Sequence, residues 1–302
     1  MIFVACSPAK KQKMAVEKSK GKLVVFNEEQ DLLTYQFEMH FPPEGIDSIY
    51  KRSAFIHPLK TPSGKVITEI NPEDHRHHYG VWNPWTKVEF KGDTVDFWNL
   101  HEREGTVRHA GFKEITEEGS AAGYRAYHEH VVIKGESEEV ALHEIQTVTV
   151  QQGQDDKYRI DFEIELTPAT QSPFNILEYR YGGFGWRATS EWTDSTSFVL
   201  TSEGIDRSGA DGSLARWVVL QGKLGERTGG ALLISHPENK NHPEPIRVWP
   251  EGDLFITMFP TKYGDWKLEP EITYTLKYRM VVFDGEMDAE SAENEWIKYT
   301  GK

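Results

Sequence analysis

The chain has 302 residues, with 34 Lys and Arg against 48 Asp and Glu, and a formal charge of −14 with its twelve histidines neutral. A chain this acidic would meet a phosphate backbone with repulsion rather than counterion release, so no nucleic-acid partner is expected. With 38% hydrophobic residues and no run near the roughly 18 apolar residues of a spanning helix, the composition excludes a protein embedded by membrane helices.

In chain order, the first feature is Met1-Ile2-Phe3-Val4-Ala5-Cys6-Ser7, followed by Lys10, Lys11, Lys13, Lys18, Lys20 and Lys22 against Glu17 alone. A short apolar stretch ending Val-Ala-Cys is similar to the tail of a bacterial lipoprotein signal, in which the cysteine becomes the lipidated first residue. A full signal has an apolar region of about 7–15 residues behind a basic segment, so the expected start lies upstream of Met1. Residues 1–21 then read as signal remnant and tether, Cys6 as the lipidation site, and the protein as a periplasmic or surface lipoprotein of the cell envelope. A lipid anchor would be its only membrane contact. Cys6 is the single cysteine, so no intramolecular disulfide can form.

From residue 22 onward the pattern is one of strands. Leu33, Tyr35, Phe37 and Met39 alternate with polar neighbours. So do Tyr158, Ile160, Phe162, Ile164 and Leu166, and again Ile272, Tyr274, Leu276, Tyr278, Met280 and Val282. Each is a half-buried strand by its period of two. Further strands are predicted at 80–90, 94–100, 107–115, 124–133, 140–150, 197–201, 214–221, 229–234 and 253–258, separated by glycine turns such as Lys91-Gly92-Asp93. The one predicted helix is 288–299, capped by Asp288, with Ala289, Ala292, Trp296 and Tyr299 on one face. Strands without intervening helices point to an all-β fold, a large antiparallel two-sheet sandwich over 22–302 with a short C-terminal helix.

Asp74-His75-Arg76-His77-His78 is the densest cluster of ionisable groups. On a straight strand His75 and His77 would face away from His78, so a bend between Pro72 and Gly80 is needed to gather all three. Gathered, His75, His77 and His78 could hold a divalent metal such as zinc or non-haem iron; otherwise they are a polar loop. Glu178 and Arg180, before Gly182-Gly183, share a face if extended. Glu203 offers a second carboxylate and His109 a further imidazole. Paired acid and base groups of this kind can divide the two roles if their environments separate their pKa values. Nine tryptophans, among them Trp82 and Trp249, supply rings on which the C–H faces of sugars can stack. No Walker loop, dinucleotide fingerprint, zincin helix or nucleophile elbow is present.

Taken together, Phe55-Ile56-His57-Pro58-Leu59, Asp74-His75-Arg76-His77-His78 with Val81-Trp82, Gly182-Gly183-Phe184-Gly185, Ser202-Glu203-Gly204, Ala215-Arg216-Trp217 and Ser235-His236-Pro237 resemble the PmoA-like family across about 55–283. That resemblance implies a β-supersandwich of the galactose-mutarotase kind and a soluble, secreted protein. The oxygenase in the family's label is a name, since an oxygenase membrane subunit would need long apolar spans. The matched positions are Asp74, His75, His77, His78, Trp82, His109, Glu178, Glu203 and His236, while Tyr79-Gly80 and Glu178-Tyr179-Arg180-Tyr181 depart from the family's pattern. The expected function is acid/base chemistry on a sugar or glycoside (hydrolysis, elimination or epimerisation), with His75, His78, His109 and Glu178 catalytic. His77, Trp82, Arg180, Glu203, His236 and Trp249 would then hold the carbohydrate. The alternatives are a non-catalytic glycan-binding envelope lipoprotein and a metal-dependent oxidase.

Overall fold

The computed structural model describes residues 13–28, 30–153 and 156–302. Its centre is the strand Lys157–Pro168, where Tyr158, Ile160, Phe162, Ile164 and Leu166 are all buried and the alternate charged residues face outward. Burying such side chains stabilises the fold by roughly 1.5–3 kcal/mol each. The strand lies antiparallel to Tyr274–Asp284, with Phe162 opposite Tyr278 and Ile160 opposite Met280, and on its other side to Ser137–Gln152. A slip of one residue would turn five large apolar groups to water, which fixes the register. Arg227–Ser235, Trp217–Leu224 and Ser197–Thr201 extend this sheet one way and Ala121–Lys134 and Gly105–Glu118 the other, making eight strands.

A nine-stranded sheet packs against it. Its order is Ala15–Ser19, Lys22–Phe26, Asp31–Gln36, Phe55–Leu59, Val81–Trp82, Phe184–Arg187, Phe255–Met258, Glu244–Val248 and Leu214–Ala215. The core between the two is visible in ring contacts across it, Tyr35 on Tyr124 at 4.4 Å and Phe184 on Tyr278 at 4.6 Å. A small third sheet joins Trp266–Leu268, Phe174–Ile176, Val88–Phe90 and Asp93–Val95. Among the described residues the fold is all-β, with three antiparallel sheets, no closed barrel and one C-terminal α-helix.

The helix is Ala289–Thr300, with the Asp288 side chain accepting from Ser291 N and Gly301 closing it in the left-handed region. Ala292 and Trp296 cover Trp217, Leu232, Ile234 and Val281 on the outer face of the eight-stranded sheet. Those strands are thus apolar on both faces, which is why 229–234 reads as a continuous apolar run. Buried Glu295 is held by Arg159 at 2.9 Å and Lys157 at 3.5 Å. Of the predicted helical face, Ala289 stands exposed in the first turn.

Three expectations need correction. Residues 13–21 do not all belong to a tether: Met14 is fully buried and Ala15–Ser19 pairs with Lys22–Phe26 as an edge strand. Its outer edge is taken up by the eight-stranded sheet, with Val16 N donating to Glu117 Oε1 and Met14 N to Gly119 O, while Lys18 packs over Phe37 and Phe112; the lysines in and around the strand made the segment read as a linker. Cys6 lies outside the described residues. The predicted strand 80–90 is two strands in different sheets, Val81–Trp82 and Val88–Phe90, because Pro84 between them has no N–H for a ladder. The third is at 272, where Ile272 is exposed and the strand begins at Tyr274.

Candidate functional site

The histidine segment is a closed loop between the bridged residues Ile70 and Tyr79. Asn71 N donates to His78 O at 2.9 Å and His78 N to His75 O at 2.9 Å, while Arg76 Nη1 donates back to Asn71 O at 2.8 Å. Gly80, at φ +52°, ends the loop where a Cβ would stand 2.1 Å from Ile56 O, so only glycine allows the chain to pass the neighbouring strand. The bend that the sequence required is therefore present. It stacks His75 on His78 at 4.8 Å between ring centres and sets His77 edge-on to His78 at 4.9 Å.

These three rings line a cleft of about 540 Å³. A second wall comes from Asp96, Asn99, His101, Glu102 and Glu104, and a third from Lys87, Tyr179, Arg180 and Tyr181, with Arg247, Trp249 and Phe255 completing it. Trp82 is buried below: it packs against His78 at 5.3 Å and Trp98 at 4.7 Å, so it supports the histidine and cannot stack on a ligand. Most of the tryptophans are likewise core. Trp249 is the half-buried exception in the cleft, 4.6 Å from the His75 ring.

His75 is the oriented imidazole. Its Nδ1 lies 2.9 Å from Asp74 Oδ2, and Asp74 takes two hydrogen bonds from Arg187, at 3.0 and 3.2 Å. The Arg187 side chain is wholly buried, lies 5.2 Å from the Trp249 ring, and also reaches Asp253 at 2.7 Å and Glu69 at 3.5 Å. Burial raises the Asp74 pKa, but the hydrogen bond from His75 and the Arg187 charge outweigh it and hold the carboxyl below its ordinary value. An ionised Asp74 accepting from Nδ1–H leaves Nε2 of His75 as the proton acceptor.

The other two imidazoles differ. Burial first, then Coulombic interaction with the neighbouring His75, His101 and Arg52, pushes the His77 pKa down to about 3. Burial, then His77, Arg187 and His75, push His78 well below the ordinary imidazole value. Both are neutral near neutral pH. His78 Nδ1 has no hydrogen-bond partner among the described residues.

Of the residues expected to act together, the structure brings His75, His77, His78, Arg180 and Trp249 to this cleft. It does not bring Glu178, Glu203, His109 or His236. The strand before Glu178 ends at Ile176, so the alternation that paired Glu178 with Arg180 is lost, and Glu178 is exposed and outside the lining. Glu203 sits on an exposed turn, accepting from Ser202 Oγ at 3.1 Å. His236 packs edge-on against Tyr299 of the helix at 5.3 Å.

His109 belongs to a different, buried network between the sheets. Its Nδ1 is 2.9 Å from Tyr35 Oη, which is 2.7 Å from His128 Nε2. His128 Nδ1 and His130 Nε2 each lie 2.9 Å from the buried Glu144 carboxylate, and Asn83 donates to it at 3.1 Å. Burial raises the Glu144 pKa, but hydrogen bonds from His128 and His130 prevail and bring it down to about 2.

The metal expectation also needs correction. Among the described residues no group of three His, Cys, Asp or Glu is placed to hold a metal ion. His75, His77 and His78 are gathered as rings, but one nitrogen of His75 is spent on Asp74 and His78 lies flat on Phe255 at 4.6 Å. Sequence reasoning missed Arg187, Asp253, His101, Tyr181 and Phe255. Arg187 had a signal: an arginine directly after the apolar Gly182-Gly183-Phe184-Gly185-Trp186 must be buried, and a buried arginine needs carboxylates.

No curated protein matches the chain in sequence. Among solved structures it is similar to a heparinase III, the BT4657 gene product, at 6% identity and a TM-score of 0.37, covering 92% of this chain and 35% of that one. It is similar to a GalM/aldose epimerase homologue from C. elegans at 10% identity and TM-score 0.34, covering 92% of this chain and 100% of that one. It is similar to an α-galactosidase from Lactobacillus brevis at 9% identity and TM-score 0.35, covering 94% and 41%. The chain thus spans about a third of the length of the heparinase. Likenesses of this degree leave the function to be argued from the site. A family model matches residues 22–297, nearly the whole chain, and the chain belongs to that family, DUF6807, a family of unknown function.

Proposed function

We propose that the cleft binds a carbohydrate and carries out acid/base chemistry on it (hydrolysis, elimination or epimerisation), with His75 as the proton carrier. The observation that carries this reading is the Asp74–His75 pair, fixed by the buried Arg187, at the edge of a cleft lined by Trp249, Phe255 and Tyr181. A fixed tautomer beside an aromatic platform is what proton transfer to or from a bound sugar requires. The neighbouring His101–Glu102 pair, 3.1 Å apart, is the counterpart acid in this reading. The resemblance of the motifs to PmoA-like proteins belongs to the same proposal.

The test is a panel of mono- and oligosaccharides, assayed by NMR for turnover and by calorimetry for binding. Trp249→Ala is expected to weaken binding of the active sugar about tenfold while changing turnover at saturation little. Binding without turnover of any sugar would replace the enzyme by a glycan-binding protein. No binding at all would refute the proposal.

We also propose that the protein is an envelope lipoprotein anchored through Cys6, on the strength of the Val-Ala-Cys sequence. Expressed from its full gene, the protein should fractionate with membranes and a Cys6→Ser variant should not. A Cys6→Ser protein that stays with the membranes overturns this.

A further inference from the structure

The charges in the cleft are unevenly spent. On one wall Asp96 accepts from Trp98 N, Asn99 N and Asn99 Nδ2 at 2.6–2.8 Å, Glu104 accepts from Asp96 N at 3.0 Å, and Glu102 is paired with His101. Those carboxylates hold their own loop together. The facing wall is joined to it by the Tyr181 hydroxyl, which exchanges hydrogen bonds with Asn99 at 3.0 and 3.2 Å.

The wall of Lys87, Tyr179, Arg180 and Tyr181 carries two cations with no carboxylate partner among the described residues. Lys87 Nζ sits 4.9 Å from the Tyr179 ring centre, and the Arg180 guanidinium lies 5.8 Å from Tyr179 and 5.5 Å from Tyr181. Neither is in a salt bridge among the described residues. Lys262 Nζ reaches the Arg180 carbonyl at 3.4 Å, just behind. Burial lowers the Lys262 pKa, with Asp211 opposing this and Arg247 and Arg180 adding to it. Arg247 is paired with Asp211 at 3.0 Å. Hydrogen bonds from neutral amides leave Asp96 and Glu104 charged, so the attraction for an anion is local to the Lys87–Arg180 edge of the cleft, where the two cations have no counter-ion in contact.

We propose that the substrate is an anionic sugar, whose carboxylate or sulfate is taken by Arg180 and Lys87 while the ring lies toward His75 and Trp249. This rests on the carbohydrate reading of the same cleft and narrows it. A guanidinium held against two tyrosine rings presents its free N–H edges to a carboxylate or sulfate at little further cost in side-chain entropy. The Lys87 ammonium adds a second charge beside the same ring.

Three oligosaccharides of equal length separate the outcomes when titrated by calorimetry: one built of uronates, one sulfated, and one uncharged. The anionic ligand is expected to bind at least tenfold tighter than the uncharged one, and to weaken as salt rises from 50 to 500 mM. Arg180→Gln and Lys87→Gln should each cost the anionic ligand about three- to tenfold, in keeping with a charged hydrogen bond at a partly open site, and flatten its salt dependence. Both side chains are exposed, so the variants should melt with the wild type. Preference between the uronate and the sulfated ligand identifies the anion. If the uncharged oligosaccharide binds as tightly as either anionic one, the anionic assignment is overturned and the carbohydrate reading stands. If none of the three binds, both fall.

Discussion

His75→Ala is expected to lower turnover of the true substrate by about 10²–10⁴-fold, the usual worth of one positioned acid/base group. The side chain is partly exposed at the cleft and its loop is closed by backbone and Asn71–Arg76 bonds rather than by its imidazole, so folding should survive. Asp74→Asn should cost a similar order for a different reason. An asparagine at that position can offer an N–H to Nδ1 and stabilise the wrong tautomer, and it removes a charge from Arg187. Both variants should lower kcat with little change in KM, and added imidazole should restore part of the His75→Ala rate. His78→Ala acts otherwise: its ring is buried between Trp82 and Phe255, so the loss should appear in stability. A His75→Ala enzyme with wild-type kcat would remove His75 from the chemistry.

The architecture was legible because its strands are half-buried and alternate. Residues 158–166 and 274–282 announce their faces, and 197–201 coincides with the strand observed. What escaped were strands without that alternation. Glu244–Val248 and Phe184–Arg187 are buried along nearly their whole length, and Ala15–Ser19 is a lysine-bearing edge. The site was half legible for a related reason. Residues adjacent in sequence, from Asp74 to His78, could be singled out by density alone, but partners brought by topology could not. Glu178 and His109 looked equivalent as isolated polar groups beside glycine. The end of a strand at Ile176 turns one to solvent, and the pairing of Gly105–Glu118 with Ala121–Lys134 carries the other to Tyr35 and His128. Asp74 was read as a member of a cluster. Its role as the link between Arg187 and His75 depends on an arginine 113 residues further along the chain.

Glu144→Ala is expected to cost about 3–5 kcal/mol of stability, the range for removing one partner of a buried charged pair. The variant would leave His128, His130 and Asn83 without their common acceptor, deep between the sheets where water cannot replace it. The Glu144 carboxylate can only accept, so His128 Nδ1–H donates to it; in the neutral tautomer this leaves His128 Nε2 to accept from Tyr35 and Tyr35 to accept from His109. At about 2–4 °C per kcal/mol for domains somewhat smaller than this one, the melting temperature should fall by about 10 °C. The sign of the acid response follows from the same groups. Burial holds His57, His109 and His242 at about 4 and His77 at about 3 in the folded state. The unfolded chain therefore binds more protons below the free imidazole value near 6.5, and stability falls as pH drops from about 6.5 toward 4. Glu144, with its pKa depressed to about 2, adds stability above the free carboxylate value that is lost as pH falls from about 4.5 toward 2. Two groups work against this: burial raises Glu244 to about 7 and lifts Glu69 above its ordinary value, so both bind protons more tightly in the folded state and favour folding as the pH falls. Four imidazoles outweigh two carboxyls. The wild type should melt lower at pH 5 than at pH 7, and the Glu144→Ala variant should lose less of its remaining stability between pH 4.5 and pH 3 than the wild type does. A Glu144→Ala protein melting within about 2 °C of wild type at pH 7 would show that the buried carboxylate is dispensable, and a wild-type melting temperature that rises from pH 7 to pH 5 would reverse the sign assigned to the histidines.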